Sequence, residues 1–256
     1  MASGRPMIDE GFRNSRRRYV GMLTEFLQLK ERYALLHPML FDSRIEFQHQ
    51  ALMKRRGFDT LQRSLFLSCC LDIYKLTLDQ SSQASMTRCI HDLKNPKLIP
   101  LIRAQYIKDE LKTCTGSDDP IVAPIEQALV PERTIKFGKD FDKRRVEVIA
   151  AWKQILHGGT FALCKTVRHD LVAHTHLGRA AFEPIDIQKL GIDFSELKPA
   201  IDLMQGLIEQ LGGLIHGTGF AWDQLERTVT GAADDFWGVS GLSLNQIVMQ
   251  GGIRRA

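Results

Sequence analysis

Residues 139–176 read KDFDKRRVEVIAAWKQILHGGTFALCKTVRHDLVAHTH, and the spacing of their apolar side chains decides the class of the fold. Val148, Trp152, Ile155, Gly159, Leu163, Val167, Leu171 and His174 follow one another at steps of three or four residues. That spacing keeps them on one face of an α-helix and off any strand, whose faces alternate at every second residue. The pattern predicts one long helix from about Lys139 to His174. Gly158-Gly159 can bend it or let a neighbour approach, because glycine has no side chain, and either outcome leaves the element helical.

The same period recurs on both sides of this segment. Tyr19, Met22, Leu23, Phe26, Leu27 and Leu29 predict a helix from Phe12 to Leu36, closed by Pro38. A second helical stretch runs from about Ile45 to Leu78, with an interruption allowed at Gly57, and carries Leu61, Leu65, Cys69, Asp72 and Leu76 along one face. Asp72 is then a polar residue on an apolar stripe. After the small residues Ser81 to Ser85, Met86–Leu93 and Pro96–Lys112 read as two shorter helices on either side of an Asn95-Pro96 turn. Residues 115–138 are rich in Gly, Pro and Asp and read as a loop holding one short helix at Ile121–Leu129. Residues 81–138 thus form an element inserted between bundle helices. Ser195 introduces a fourth long helix, with Leu197, Ile201, Met204, Leu207, Ile208 and Leu211 on one face, weakened or stopped at Gly212-Gly213. Beyond it, isolated Phe220, Trp222, Phe236 and Trp237 show no sustained period. The expected organisation is an all-α, up-and-down helical bundle over residues 1–216 and an irregular Gly-rich tail over 217–256.

Composition narrows the classes. With 256 residues and 44% hydrophobic content the chain can bury a core of its own. The formal charge of +4 permits nucleic-acid contact without requiring it. Five cysteines, Cys69, Cys70, Cys89, Cys114 and Cys164, are odd in number and form no CxxC pair, which fits a reducing cytoplasm better than a disulfide framework or a zinc ribbon. The polar start, Met1 to Glu10, and the lack of any long apolar run argue against secretion and membrane insertion.

The chemistry concentrates in Lys165-Thr166-Val167-Arg168-His169-Asp170-Leu171-Val172-Ala173-His174-Thr175-His176. On a helix Asp170 and His174 share a face, while Arg168 and His174 stand about 120° and roughly 9 Å apart, a gap that an arginine side chain can largely bridge. His174 falls where the stripe calls for its next buried residue. By itself that position suits a structural histidine donating to an acceptor such as Asp170 as well as it suits a reactive one.

Arg168, five intervening residues and His174, in the small apolar setting Val172-Ala173, resemble the arginine–histidine motif of the HEPN superfamily. The earlier stretches Leu61-Gln62-Arg63-Ser64-Leu65 and Leu71-Asp72-Ile73-Tyr74-Lys75-Leu76 look like the second helix of the same family. Residues 15 to 215 are similar to its U-type abortive-infection (AbiU-like) branch, with the tail outside the resemblance. The resemblance implies a metal-independent endoribonuclease without a cofactor, acting on RNA in phage defence or toxin-like growth arrest. It also implies a homodimer whose composite cleft takes Arg168 and His174 from both subunits, and a neutralising protein partner. An imidazole with a pKa near 6.5 can take a proton from the ribose 2′-OH or give one to the leaving 5′-oxygen, and a guanidinium can hold the phosphate oxygens. His169, Asp170, His176 and Asp72 are candidates for supporting roles. HEPN toxins that a partner nucleotidyltransferase modifies carry a tyrosine two residues after the motif histidine; here that residue is His176, so such modification is not expected.

Three other readings compete. Cys164, His169, His174 and His176 are all possible zinc ligands, but they wrap around the helix instead of converging. A non-catalytic dimerisation or RNA-binding module would keep the motif as structure, with Arg16-Arg17-Arg18 and Lys143-Arg144-Arg145 as phosphate contacts or as plain solvated faces. Vicinal Cys69-Cys70 lie in an apolar helix, where buried thiols behave as small hydrophobes.

Overall fold

The structure, a computed structural model, describes residues 5–79, 84–115, 121–168 and 194–239. Among these residues the regular elements are helical and none is a strand. They are α1 (Arg5–Phe41), α2 (Ser43–Gln48), α3 (Leu52–Thr77), α4 (Met86–Lys94), α5 (Ile99–Cys114), α6 (Val122–Leu156), α7 (Gly159–Thr166), α8 (Leu197–Ile215) and α9 (Trp222–Trp237). The all-α class read from the sequence is the class observed. The chain divides into two compact units, residues 1–29 with 70–220 and residues 30–69 with 221–256.

In the first unit α5 packs on α6, and α8 packs on both. Val148, Trp152 and Ile155 of α6 are buried, as their spacing requires, and so is every member of the α8 stripe from Leu197 to Leu211. Three expectations fail here. Residues 115–138 are not a loop with one short helix, because α6 is continuous from Val122. Pro124 sits in its first turn, where no backbone N–H has an intrahelical partner. Pro131 deprives the Gln127 carbonyl of a donor, but Gln127 is exposed and water can supply one. The long helix does not continue through Gly158-Gly159 either. Gly158 is extended (φ −70°, ψ 139°) and separates α6 from α7. A Cβ on Gly158 would lie 3.0 Å from Phe161 Cδ2, so the bare residue lets Phe161 turn into the core. The break resets the helical phase: Phe161, Cys164 and Val167 are buried, while Gly159 is exposed and Leu163 half-buried.

The third failure is at Gly212-Gly213, which α8 passes through on its way to Ile215. The two glycines have different surroundings. A Cβ on Gly212 would overlap the hydroxyl of Tyr19, which is 3% exposed. A Cβ on Gly213 meets nothing within 4 Å. Gly212→Ala is therefore expected to destabilise by about 1–3 kcal/mol through overpacking. Gly213→Ala should stabilise by about 0.4–1 kcal/mol through helix propensity and a stiffer unfolded chain. Thermal melts of the two variants check the pair; shifts of the same sign would contradict the packing seen here.

In the second unit Met39, Ile45 and Phe58 form a cluster against which Leu65, Trp237 and Val239 pack. Pro38 does not close α1, which runs on to Phe41. Two of the carbonyls near its end find donors from elsewhere, Trp237 Nε1 on Leu35 (3.0 Å) and Gln62 Nε2 on Met39 (2.9 Å), and the Asp42 amide continues the helical pattern on Pro38 (2.9 Å). The break in the second stretch lies between α2 and α3, after Gln48, and not at Gly57, which is inside α3. Asp42 caps α2 by accepting from the Arg44 amide, and the Arg44 guanidinium beside it holds its carboxyl below the usual carboxylate range. The region read as an irregular tail contains α9, with Trp222 and Ala233 buried and Gly238 closing it in the left-handed conformation (φ 67°). The Val239 amide reaches back to the Asp234 carbonyl and the Gly238 amide to Asp235, a Schellman termination.

The buried face of α3 also differs from the expected one. Phe66, Cys69, Cys70, Ile73 and Leu76 are buried, while Leu61 is 39% exposed. Asp72 is half-buried beside that face instead of within it. Cys69 and Cys70 are buried inside the apolar surface, in keeping with their reading as small hydrophobes.

Candidate functional site

Arg168 follows α7 and is the last described residue before residue 194. Phe161, Cys164 and Val167 anchor α7 by burial, and Thr160 Oγ1 donates to Glu196 Oε2 at 3.1 Å, joining the start of α7 to the short 3-10 turn that leads into α8. Val167 and Arg168 follow as a wider, π-type turn. Arg168 is half-buried, and its guanidinium carbon lies 5.6 Å from the centroid of the Tyr74 ring on α3. Arginine is attracted to an aromatic face by the ring quadrupole. A cation–π contact uses none of the guanidinium's N–H donors, which suit the oxygens of a phosphate. The two stretches that carry the family resemblance, Leu71–Leu76 and the motif helix, are thus brought together at Tyr74 and Arg168.

His169, Asp170, His174 and His176 lie outside the described residues; Asp72, a carboxylate whose place on α3 suggests Arg168 or His174 as a partner across the bundle, is described and half-buried. Of the four residues proposed as zinc ligands, Cys164 alone is described, and it is buried between Phe161 and Val167 in the anchoring face.

The basic runs are divided between internal contacts and solvent: Arg16, Arg18 and Arg145 are half-buried, while Arg17, Lys143 and Arg144 are exposed. Arg18 Nη1 donates to both carboxylate oxygens of Asp92 at 2.8 and 2.9 Å, and Arg16 Nη2 donates to the His216 carbonyl at 3.0 Å. Arg144 lies over the Tyr106 ring, Arg145 Nη1 donates to the Leu93 carbonyl and Lys143 faces Glu147. These contacts give Arg16, Arg18 and Arg145 a structural role.

A model of the AbiU2 family of HEPN proteins matches residues 14–236. The chain belongs to the AbiU2 HEPN family. No curated protein and no solved structure matches it. The AbiU2 match extends past the expected boundary near residue 215 and takes in α9 up to Phe236, so the helix misread as tail is part of what the family shares. Among the described residues of this AbiU2 chain no helix is long and apolar enough to cross a membrane.

Sequence reasoning missed a second histidine environment. The His216 ring is tilted over Tyr19 with centroids 5.7 Å apart, and its Nδ1 is 2.8 Å from Thr218 Oγ1. Burial, then the Arg16 charge, lowers the His216 pKa from its ordinary 6.5, against a smaller opposing effect of Asp109. Burial likewise pushes the Tyr19 phenol up to about 12. Because the folded pKa of His216 lies below the unfolded one, the unfolded chain binds more protons between the two values. The stability contribution of neutral His216 is then fully present above the ordinary imidazole pKa of about 6.5 and declines as pH falls through and below it. Urea unfolding at pH values on either side should show wild type losing more stability on acidification than His216→Asn; parallel losses would remove His216 as the cause.

Proposed function

We propose that this AbiU2-family chain is an endoribonuclease of HEPN type, acting in abortive infection or growth arrest as a homodimer with a composite cleft. Arg168 holds the scissile phosphate and His174 moves the proton. The 2′-hydroxyl gives up its proton as its oxygen attacks phosphorus, the bond to the 5′-oxygen breaks, and that oxygen takes a proton as it leaves. The products are a 2′,3′-cyclic phosphate and a 5′-hydroxyl, and RNA supplies the nucleophile itself. A symmetric dimer offers one imidazole as base and a second as acid. The observation that supports this reading is the Arg168 guanidinium 5.6 Å from the Tyr74 ring centroid, which places a cation at the motif beside α3. His169, Asp170, His176 and Asp72 are supporting residues in this proposal, and a neutralising protein partner would act by covering the cleft.

The test is incubation of the purified protein with RNA in excess EDTA, followed by identification of the new ends. Cleavage with cyclic-phosphate ends is expected. Tight RNA binding without turnover would replace the nuclease by a non-catalytic dimerisation or RNA-binding module, and cleavage abolished by the chelator would point to metal chemistry instead.

A further inference from the structure

The stretch that ends at Arg168 carries charge of one sign. Residues 148–168 contain Lys153, Lys165 and Arg168 and no carboxylate. An exposed lysine on a helix is ordinarily accompanied by an acid three or four residues away, as Lys143 is by Glu147 and Lys198 by Asp202. Lys165 has none at those spacings: Phe161 and Ala162 precede it, Arg168 and His169 follow. The one acid that meets α7 among the described residues, Glu196, is held at its other end by Thr160. Lys165 is exposed on α7, and Arg168, three positions on, is half-buried against Tyr74. Residues at that spacing are neighbours on one side of a helical turn, with Cβ atoms roughly 5–6 Å apart. The pair therefore presents an inner guanidinium and, on its solvent side, an outer ammonium. Lys75, the cation that follows Tyr74 on α3, is engaged by Glu25 at 2.8 Å and does not compete for this place.

We propose that Lys165 binds the phosphate next to the scissile one, so that the site takes an RNA strand with at least two consecutive phosphates. This rests on the ribonuclease reading, which puts the scissile phosphate at Arg168. A lysine ammonium is a point charge on a flexible stem, suited to hold a backbone phosphate without preference for the base it carries. The two cations then divide the work: Arg168 serves the reacting phosphorus, and Lys165 sets the register of the strand. A purely structural role is the alternative, since a cation in the last turn of α7 also meets the negative end of the helix dipole. That role acts on stability and leaves the response of RNA binding to salt untouched.

The test is an anisotropy titration of the full chain with a fluorescent 2′-O-methyl hexanucleotide, which offers phosphates but no nucleophile, at a series of salt concentrations. Lys165→Met is expected to bind severalfold more weakly at low salt, and the slope of log affinity against log salt should shrink by about 0.7, the share of one phosphate contact on a single strand. Adding Arg168→Ala should shrink it by about twice as much, because the two cations serve different phosphates. Lys165→Arg keeps the charge and should keep the slope. So should Lys198→Met, which removes the same charge from α8. Lys165 is exposed and methionine preserves its apolar stem, so the variant retains the fold. A wild-type slope in Lys165→Met, a change confined to its melting temperature, or no binding of the oligonucleotide by wild type each overturns the proposal. Binding that depends on Lys165 in a protein that cleaves no RNA would end the ribonuclease reading while upholding Lys165 as a second phosphate contact.

Discussion

His174→Ala and Arg168→Ala proteins are each expected to cleave RNA about 10²–10⁴-fold more slowly than wild type, the range general acid–base groups supply. The two losses should differ in kind. Removing the imidazole removes proton transfer, so the fall should lie in kcat with KM nearly unchanged. Removing the guanidinium withdraws charge from the phosphate in both the bound and the transition state, so KM should rise as well. Arg168→Lys keeps the charge but not the planar fork or the stack on Tyr74, and should recover only part of the rate. Tyr74 tests the stack without touching RNA: Tyr74→Phe keeps the ring and should cleave normally, whereas Tyr74→Leu loses about 0.5–1 kcal/mol of guanidinium attraction and should slow cleavage severalfold. Initial rates at several RNA concentrations separate these cases. Wild-type rates in both Arg168→Ala and His174→Ala would remove the motif from the chemistry.

The largest stability effect is expected at the Arg18–Asp92 pair. The Asp92 side chain is 3% exposed and that of Arg18 is 30% exposed, so the two partners are not equivalent. Arg18→Met strands a carboxylate in the interior and should cost about 2–3 kcal/mol, below the full range for buried pairs because water reaches Arg18. Asp92→Leu leaves a cation that can extend toward solvent, and should cost less. The double variant, Arg18→Met with Asp92→Leu, should recover most of the loss, since well-packed apolar residues often replace a buried ion pair at no net cost. Denaturant titration of the four proteins completes the cycle, and strictly additive losses would show that the two side chains do not depend on one another.

What could be read in advance followed from periodicity. Val148, Trp152, Ile155 and the α8 stripe are buried because a continuous helix carries its apolar residues on one face whatever it packs against. The misreadings arise where tertiary surroundings override local signals. Pro124 and Pro131 suggested a loop, yet one occupies a first turn and the other an exposed flank. Gly212 suggested a stop, yet it is the space that Tyr19 fills. Gly158 was read as a tolerated bend and is a true break, because Phe161 needs the room, and extrapolating the stripe across it misassigned the phase at Leu163. The α9 helix does carry a stripe, Trp222, Leu225, Val229, Ala233 and Trp237 at steps of three and four, but the polar and small residues between them mask it. At the site, Arg168 stood out by its place in the motif. Its stack on Tyr74 joins residues nearly a hundred positions apart, and no local pattern reports that. The ring contacts of His216, with Tyr19 and Thr218, lie outside α8 and leave no mark on its helical pattern.

The course of α6 has a consequence for how the molecule opens. Its second half is bound into the first unit by Phe137, Phe141, Val148, Trp152 and Ile155, whereas Ile125 and Ile135 in the first half are 58% and 62% exposed. The helix is one element by geometry and two by thermodynamics. Unwinding residues 122–136 gives up backbone hydrogen bonds and the Arg133 bond to the Cys114 carbonyl but exposes no fully buried side chain, so those amides can exchange with solvent through a local opening while the amides beyond Phe137 wait for the whole unit to unfold.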